Sequence, residues 1–240
     1  MDRCQACLAV NARSLRERGV IPAFPVYLFD VDGTLVDSAC DICGAIQEVL
    51  HSRARADVSD AFLRRYIGRH LIDLFLDLGY QAESIDEMVV HYRRVYLARE
   101  HSMTRRYDGV VEMMAALPGR KSTATTKGTP TTRSVLEKFG LLPYFDHVQG
   151  TDGFPAKPEP NVIYASLDVF GAKPSECLFV GDSAADMEAG RRAGVKTCAV
   201  LYGYGEREDL LKWSPDYVIE RPGDLAPNRL HLSASEGLLA

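Results

Sequence analysis

The chain has 240 residues, of which 46% are hydrophobic and 25% are charged, and its formal net charge is −5. This length suits one domain with an insertion, or two modest domains, and can bury a substantial core. The acidic balance argues against a nucleic-acid partner, and no apolar run approaches the length that spans a membrane. Residues 1–24 lack the apolar block and cleavage pattern of a secretory signal, so we interpret them as a loose leader of a cytoplasmic protein.

The first predicted strand, 26–29, ends in two carboxylates, Asp30 and Asp32, which a glycine follows. Side chains two residues apart on an extended segment project to the same side, so both carboxylates can face one small volume. Carboxylates held this close repel each other unless a cation lies between them or one stays protonated. The pattern therefore indicates a metal or acid/base site. An ordinary strand that ends in an Asp-Gly turn is the alternative.

Residues 40–107 show helical patterns, at 45–51, 60–66, 71–78 and 85–100, and no good strand. Such an insert directly after the first strand predicts a second module over the carboxyl ends of the strands, where open α/β sheets bind ligands. The insert also holds one of two Cys-x-x-Cys pairs, Cys40 with Cys43, while Cys4 with Cys7 lies in the leader. This spacing is typical of zinc sites, but a pair on a helix lacks the tight knuckle, and we favour reduced thiols.

The next predicted strand, 122–125, ends in the hydroxyls of Thr125 and Thr126, just before a predicted helix at 131–139. A hydroxyl and free backbone N–H groups are suitable donors to a phosphoryl oxygen. Simple capping of the helix by Thr126 or Thr129 is the alternative. A further strand is predicted at 147–150.

Lys157 precedes the next predicted helix, 161–170, in the proline-rich segment Ala156-Lys157-Pro158-Glu159-Pro160. Prolines fix the backbone around the lysine, and a rigidly held ammonium suits neutralisation of a phosphoryl group or a carboxylate. An exposed lysine without a function is the alternative.

The predicted strand 177–180 leads to Asp182, a hard oxygen ligand of the type that Mg²⁺ prefers. Asp186 lies four residues further on, where it is either part of this site or the partner of Ser183 in a helix-capping pair. The remaining predicted elements are helices at 184–193 and 206–212 and strands at 196–200 and 217–219. The alternation predicts an α/β fold with a parallel sheet flanked by helices, followed by a loosely ordered tail at 223–240.

The order and spacing of Asp30, Asp32, Thr125, Lys157 and Asp182 resemble the haloacid dehalogenase-like hydrolase superfamily, from about residue 26 to 217. Smaller matches resemble its phosphoglycolate-phosphatase-like branch. They are Leu35-Val36-Asp37-Ser38, Thr125-Thr126-Lys127, Lys157-Pro158-Glu159-Pro160, Asp186-Met187-Glu188-Ala189-Gly190 and Gly203-Tyr204-Gly205. The resemblance implies a Rossmann-like core at 25–39 and 108–222, with helices on both faces, and an inserted all-helical cap at 40–107.

The resemblance also implies roles. Asp30 would attack phosphorus and form an aspartyl-phosphate, and Asp32 would act as general acid and then base. Mg²⁺ would be held by Asp30, the Asp32 backbone carbonyl and Asp182, with Asp186 as a further metal-site residue or as a partner that orients Lys157. Thr125, with backbone N–H groups near Gly33 and with Thr126, would bind phosphoryl oxygens.

The expected activity is hydrolysis of a small phosphomonoester, phosphoglycolate-like or a small sugar phosphate, by a monomer or homodimer. In the predicted cap, Arg69 and His70 follow an Ile-Gly pair and are candidates to meet the leaving group. Two alternatives stay open. One is a phosphosugar mutase of the β-phosphoglucomutase type, and the other is a non-catalytic relative that serves as a binding module.

Overall fold

The computed structural model describes residues 21–226, so Cys4, Cys7 and most of the predicted leader and tail lie outside the described residues. The strands are β1 (Val26–Phe29), β2 (Val36–Asp37), β3 (Arg105–Arg106), β4 (Arg120–Thr123), β5 (Cys177–Gly181), β6 (Lys196–Val200) and β7 (Tyr217–Ile219). The α-helices are α1 (Ala39–Ser52), α2 (Asp60–Arg64), α3 (Leu71–Asp77), α4 (Ala82–Ala98), α5 (Val110–Ala116), α6 (Thr129–Lys138), α7 (Asn161–Phe170), α8 (Ala184–Ala193) and α9 (Arg207–Lys212). Short 3₁₀ helices occupy Leu142–Tyr144, Pro174–Glu176 and Pro222–Leu225.

Five parallel strands form the main sheet in the order β4-β1-β5-β6-β7. Alternate residues of the central strand β1 enter different hydrophobic clusters: Tyr27 and Phe29 join one, and Val26 and Leu28 join the other. This division follows from the two-residue period of a strand, which points successive side chains to opposite faces. The sheet is therefore covered on both faces, as the alternating pattern predicts.

The helices α1–α4, which we call the helical layer, have a hydrophobic cluster of their own, separate from those of the sheet. Its members include Ile46 and Leu50 of α1, and Met88 and Val95 of α4. The chain enters and leaves the layer through the antiparallel pair β2–β3, in which Val36 faces Arg106 and Asp37 faces Arg105. Strand β3 falls inside 40–107, which the sequence predicts to be all-helical. All four predicted helices of this segment are present, although α1 begins at Ala39, six residues before the expected start at residue 45.

The buried Asp41 joins the first turn of α1 to the segment that returns from the layer. It accepts hydrogen bonds from Thr104 Oγ1 (2.7 Å) and Met103 N (3.0 Å), and Arg99 Nε lies 3.4 Å from its other oxygen. On the same helix, Cys40 is exposed and Cys43 is buried, and both are free thiols.

Two predicted strands differ from the structure. The segment 147–150 is not a strand, because the side chain of Thr123 both accepts a 2.8 Å hydrogen bond from Gln149 N and donates one of 2.8 Å to Gln149 O. These bonds take the place of a backbone ladder, and a single bridge between Ser122 and His147 remains. Strand β4 spans Arg120–Thr123, whereas the sequence predicts a strand at 122–125. Both ends are therefore two residues earlier than predicted, and Thr125 lies beyond the strand.

The core also extends past both predicted boundaries. Phe24, assigned to the leader, is 9% exposed, and its backbone N–H donates to the Tyr27 hydroxyl. Leu225, assigned to the tail, is 1% exposed within the same cluster. The helix α5, which begins after Gly109 at a φ of 82°, was not predicted from the sequence.

Candidate active site

The candidate site lies where β1 and β5 end side by side. Phe29 and Val180 are register partners, and Asp30 N donates a 2.9 Å hydrogen bond to Val180 O. Asp30 and Asp182, the first residues beyond these strands, are 1% and 2% exposed. Adjacent parallel strands thus bring together two carboxylates that are 152 positions apart along the chain (182 − 30).

Lys157 provides the positive charge at the centre of this site. Its ammonium lies 2.5 Å from Asp186 Oδ1 and 2.9 Å from Asp30 Oδ1, and it donates a 3.0 Å hydrogen bond to Ala124 O. Burial alone lowers the pKa of Lys157, but Asp186 and Asp30 outweigh it, so the pKa is raised above its ordinary value. The ammonium therefore stays charged. A cis peptide bond joins Lys157 to Pro158.

Asp30, Asp182 and Asp186 form a buried acidic cluster, in which one oxygen of each lies within 4.8 Å of the others. Burial raises the pKa of Asp30 to about 6, although Lys157 opposes the shift, and burial together with Asp186 and Asp30 raises that of Asp182. Lys157 Nζ lies 2.9 Å from Asp30 Oδ1, and Asp30 Oδ2 accepts no hydrogen bond from any residue of 21–226. A buried carboxylate oxygen without a donor is a suitable ligand for a hard divalent cation such as Mg²⁺.

Neighbouring groups fix the direction of the Asp182 carboxylate. Thr34 Oγ1 donates to Oδ1 at 3.1 Å, and Tyr204 N donates to Oδ2 at 2.8 Å. Gly33 lies against this carboxylate with a φ of 85°, and a Cβ at Gly33 would lie 2.0 Å from Asp182 Oδ2. Both the backbone angle and the space therefore require glycine.

Asp186 fills both of the roles left open by the sequence. Its Oδ2 accepts hydrogen bonds from Ser183 N (2.9 Å) and Ser183 Oγ (2.6 Å), which closes the capping box of α8. Its Oδ1 pairs with Lys157. Because both oxygens are engaged, Asp186 is less available to a metal ion than Asp30.

Asp32 is held at two points. Ser38 Oγ donates to Oδ1 at 2.5 Å, and Lys127 Nζ lies 3.2 Å from Oδ2. Thr125, which follows β4, is 1% exposed, and its Oγ1 accepts a 3.4 Å hydrogen bond from Lys127 N. Thr126 is half-buried beside it. The site thus collects four aspartates, two threonines and two lysines at one edge of the sheet.

Comparison with known proteins agrees with this geometry. A model of the haloacid dehalogenase-like hydrolase family matches residues 27–200. The phosphoglycolate phosphatase of Aquifex aeolicus is 32% identical over 207 residues, which cover 83% of this chain and 94% of that protein. The pyrophosphatase PpaX of Bacillus velezensis is 31% identical over 202 residues, which cover 82% and 93%.

The chain belongs to the haloacid dehalogenase-like hydrolase family. Among solved structures, a haloacid dehalogenase-like hydrolase from Streptococcus pneumoniae superposes with a TM-score of 0.79 at 25% identity. The alignment covers 84% of this chain and 96% of that one. The α/β fold predicted from the sequence is therefore confirmed.

A cavity of about 500 Å³ lies between the helical layer and the core of this family member. Arg64 and Arg69 line it from the layer, and Ser183, Tyr204 and Trp213 line it from the core. His70 is not among the lining residues; its Nδ1 accepts a 3.3 Å hydrogen bond from Ile72 N and caps α3. The structure thus brings Arg69, but not His70, to the space beside the candidate site.

Three residues of the site were not singled out from the sequence: Lys127, Ser38 and Tyr204. All three lie in the short motifs that carry the family resemblance. Membership in these motifs is the sequence feature from which they could have been predicted. The Tyr204 hydroxyl accepts hydrogen bonds from Ser38 N (2.6 Å) and Ala39 N (3.0 Å), and donates to Asp37 Oδ1 (2.8 Å). It therefore ties the loop after β6 to the start of α1.

Within residues 21–226, no helix is long and apolar enough to cross a lipid bilayer.

Proposed function

We propose that this chain is a Mg²⁺-dependent phosphatase that hydrolyses a small phosphomonoester through an aspartyl-phosphate on Asp30. The observation that carries the proposal is the buried set of Asp30, Asp182 and Lys157, in which Asp30 Oδ2 accepts no hydrogen bond from the described residues. A nucleophile must have a free lone pair, and an acidic cluster must have cations to offset its charge.

In the first step, an Asp30 carboxylate oxygen bonds to phosphorus as the bond from phosphorus to the alcohol oxygen breaks. Asp32, placed two residues along, gives its proton to that oxygen, so the alcohol leaves neutral. In the second step, water attacks the phosphorus of the aspartyl-phosphate and Asp32 takes its proton. The bond from phosphorus to Asp30 breaks, which releases phosphate and restores both carboxyl groups.

Lys157 and Thr125 suit the binding of the transferred group. Lys157 holds a full positive charge beside Asp30, so it offsets the charge of the phosphoryl oxygens. Thr125 supplies a hydroxyl at the end of β4, next to β1. When Mg²⁺ is bound, it screens the nucleophile from the phosphate dianion; Asp30, Asp182 and the Asp32 carbonyl would hold it.

The cavity supports a small substrate that carries a second polar group. Its volume of about 500 Å³ fits a metabolite rather than a macromolecule. Its wall carries both signs of charge: three arginines (Arg64, Arg65, Arg69) and four carboxylates (Asp73, Glu188, Glu206, Asp209). The name of the Aquifex aeolicus relative makes phosphoglycolate the first substrate to test. Inorganic pyrophosphate is the second, because the relative from Bacillus velezensis is named a pyrophosphatase.

A panel of phosphate esters with purified protein tests this proposal. We expect phosphate release that depends on Mg²⁺, is stopped by EDTA, and is lost in Asp30→Asn. Asp41→Asn is a matched control, since Asp41 is also buried but lies in the helical layer. Isomerisation of glucose 1-phosphate without phosphate release would instead indicate a mutase. No turnover of any ester would favour a binding module.

A further inference from the structure

Lys127 joins the candidate acid/base to the helical layer. Its Nζ lies 3.2 Å from Asp32 Oδ2 and donates a 2.9 Å hydrogen bond to the hydroxyl of Tyr96 on α4. The same ammonium lies 4.2 Å from the centre of the Tyr96 ring. The side chain is 10% exposed, so one nearly buried charge bridges the core and the layer.

We propose that Lys127 is a positioning residue, which holds the Asp32 carboxyl group at the leaving-group oxygen only while Tyr96 anchors the helical layer to the core. This inference rests on the function proposed above, and it assigns a task to two residues for which that mechanism has no role.

The first support is that the carboxyl group of Asp32 is fixed at both of its oxygens. Ser38 Oγ donates to Oδ1, and Lys127 lies against Oδ2. Two contacts on opposite oxygens stop the carboxyl group from rotating, whereas either contact alone would leave it free to turn. A general acid must lie within hydrogen-bond reach of the atom that it protonates, so this restraint bears directly on the rate.

The second support is that the Lys127 contact depends on the helical layer, whereas Ser38 is also tied to the core. Ser38 directly precedes α1, but its backbone N–H donates to Tyr204 in the loop after β6. Tyr96 belongs to α4, where its ring stacks on Tyr92 at a centroid distance of 5.7 Å and an interplanar angle of 15°. The aromatic pair presents a rigid surface to the ammonium. If α4 moved away from the core, Lys127 would lose its anchor and Asp32 would lose half of its restraint.

The third support is energetic. The Lys127 ammonium is almost buried between the Asp32 carboxylate and the Tyr96 ring and hydroxyl. Buried ion pairs add little net stability compared with apolar side chains of the same size. Stability alone is therefore a weak reason for a lysine at this place, whereas a geometric restraint requires a charged donor of this length.

The test compares Lys127→Met, Lys127→Arg and Tyr96→Phe on two substrates. One is the best alkyl phosphate of the panel, whose alcohol must be protonated as it leaves; the other is p-nitrophenyl phosphate, whose phenolate departs without a proton. For Lys127→Met we expect kcat to fall about 10- to 100-fold on the alkyl ester, and much less on the aryl ester, with KM changed less than about threefold. Lys127→Arg should recover part of the loss, and Tyr96→Phe should show the same substrate dependence in a weaker form.

Lys121→Met is the matched control, because Lys121 is also buried but donates to the carbonyl oxygens of Leu117 and Gly119. It should affect both substrates equally. In an Asp32→Asn background, Lys127→Met should cause no further loss on the alkyl ester, since a positioning residue has nothing left to position.

Three results would overturn the inference: equal losses on both esters, a full additional loss in the Asp32→Asn background, or the same pattern from Lys121→Met. If Lys127→Met does not fold, Tyr96→Phe, which keeps the ring, carries the same comparison. A wild-type protein that hydrolyses neither ester would instead refute the proposed function, and with it this inference.

Discussion

Lys157 Nζ lies 2.5 Å from Asp186 Oδ1, and neither side chain has any exposed surface. Asp186 also caps α8 through Ser183, so one carboxylate serves both the helix and the lysine. The same ammonium contacts Asp30. The strength of the Lys157–Asp186 pair therefore decides how firmly Lys157 is held beside the proposed nucleophile.

Asp186→Asn should lower both stability and turnover. The amide cannot balance the buried ammonium, and breaking a buried pair by removing one partner typically costs about 3 kcal/mol. Urea unfolding of the metal-free protein measures this loss. Glu188→Gln on the same helix is the control: its partner Arg192 is partly exposed, so the change should stay within about 0.5 kcal/mol.

The double variant Lys157→Met/Asp186→Asn distinguishes the contribution of the Lys157–Asp186 ion pair from the contribution of Asp186 to the capping of α8. If the two groups act as a unit, the double variant should lose clearly less than the sum of the two single losses. Strictly additive losses would contradict the role given to Asp186.

Gly33→Ala should cut kcat/KM at least about 100-fold, because the new methyl group would displace the Asp182 carboxylate from the position in which we propose that it binds Mg²⁺. Gly79→Ala is a close control: Gly79 has the same φ of 85°, but a Cβ there meets nothing within 4 Å. Both variants carry a backbone strain of about 1 kcal/mol, which thermal unfolding measures. Equal losses of activity in the two variants would contradict the steric explanation.

The strand ends that carry the candidate site could be predicted because each is marked by the local order of apolar and polar residues. The bounds of β1, β6 and β7 are as predicted, since each apolar run stops at a clear break. The carboxyl ends of parallel strands meet at one edge, so Asp30 and Asp182 were expected together before any contact was known. The roles assigned to these residues stay predictions.

Contacts that depend on a partner far along the chain could not be predicted. Thr123 bonds Gln149 with its side chain, and no periodicity signals that a hydroxyl replaces a strand ladder. Lys127 meets Asp32 and Tyr96, residues of two other segments. A sequence shows that a lysine is present, but the packing of α4 against the core decides which groups it contacts.

Mg²⁺ should bind more weakly as the pH falls through about 6. Burial raises the pKa of Asp30 to about 6, so below that pH the metal-free group holds a proton that a cation must displace. We expect the Mg²⁺ dissociation constant to rise up to about tenfold per pH unit in this range, and turnover to fall with it. Titration calorimetry at fixed ionic strength measures the constant.

The same experiment on Asp30→Asn should show weaker binding with a smaller dependence on pH around 6, since one of the two proposed ligands with a raised pKa is gone. Mg²⁺ at about 100 times its dissociation constant should raise the unfolding free energy of the wild type by about 2.7 kcal/mol at neutral pH. An affinity that does not change between pH 5 and 7 would contradict the assignment of Asp30 as a ligand.

Arg69→Ala should raise KM for phosphoglycolate about tenfold while leaving KM for p-nitrophenyl phosphate within about twofold. Arg69 lines the cavity beside the candidate site, and its guanidinium lies 5.0 Å from the centre of the Tyr66 ring, which restricts its position. A charged donor held in this place favours the substrate with a second anionic group. Arg93→Ala is the control, because Arg93, which is exposed like Arg69, lies on α4 and does not line the cavity. Equal KM changes for both esters, or the same selectivity change in Arg93→Ala, would show that Arg69 does not bind the leaving group of the substrate.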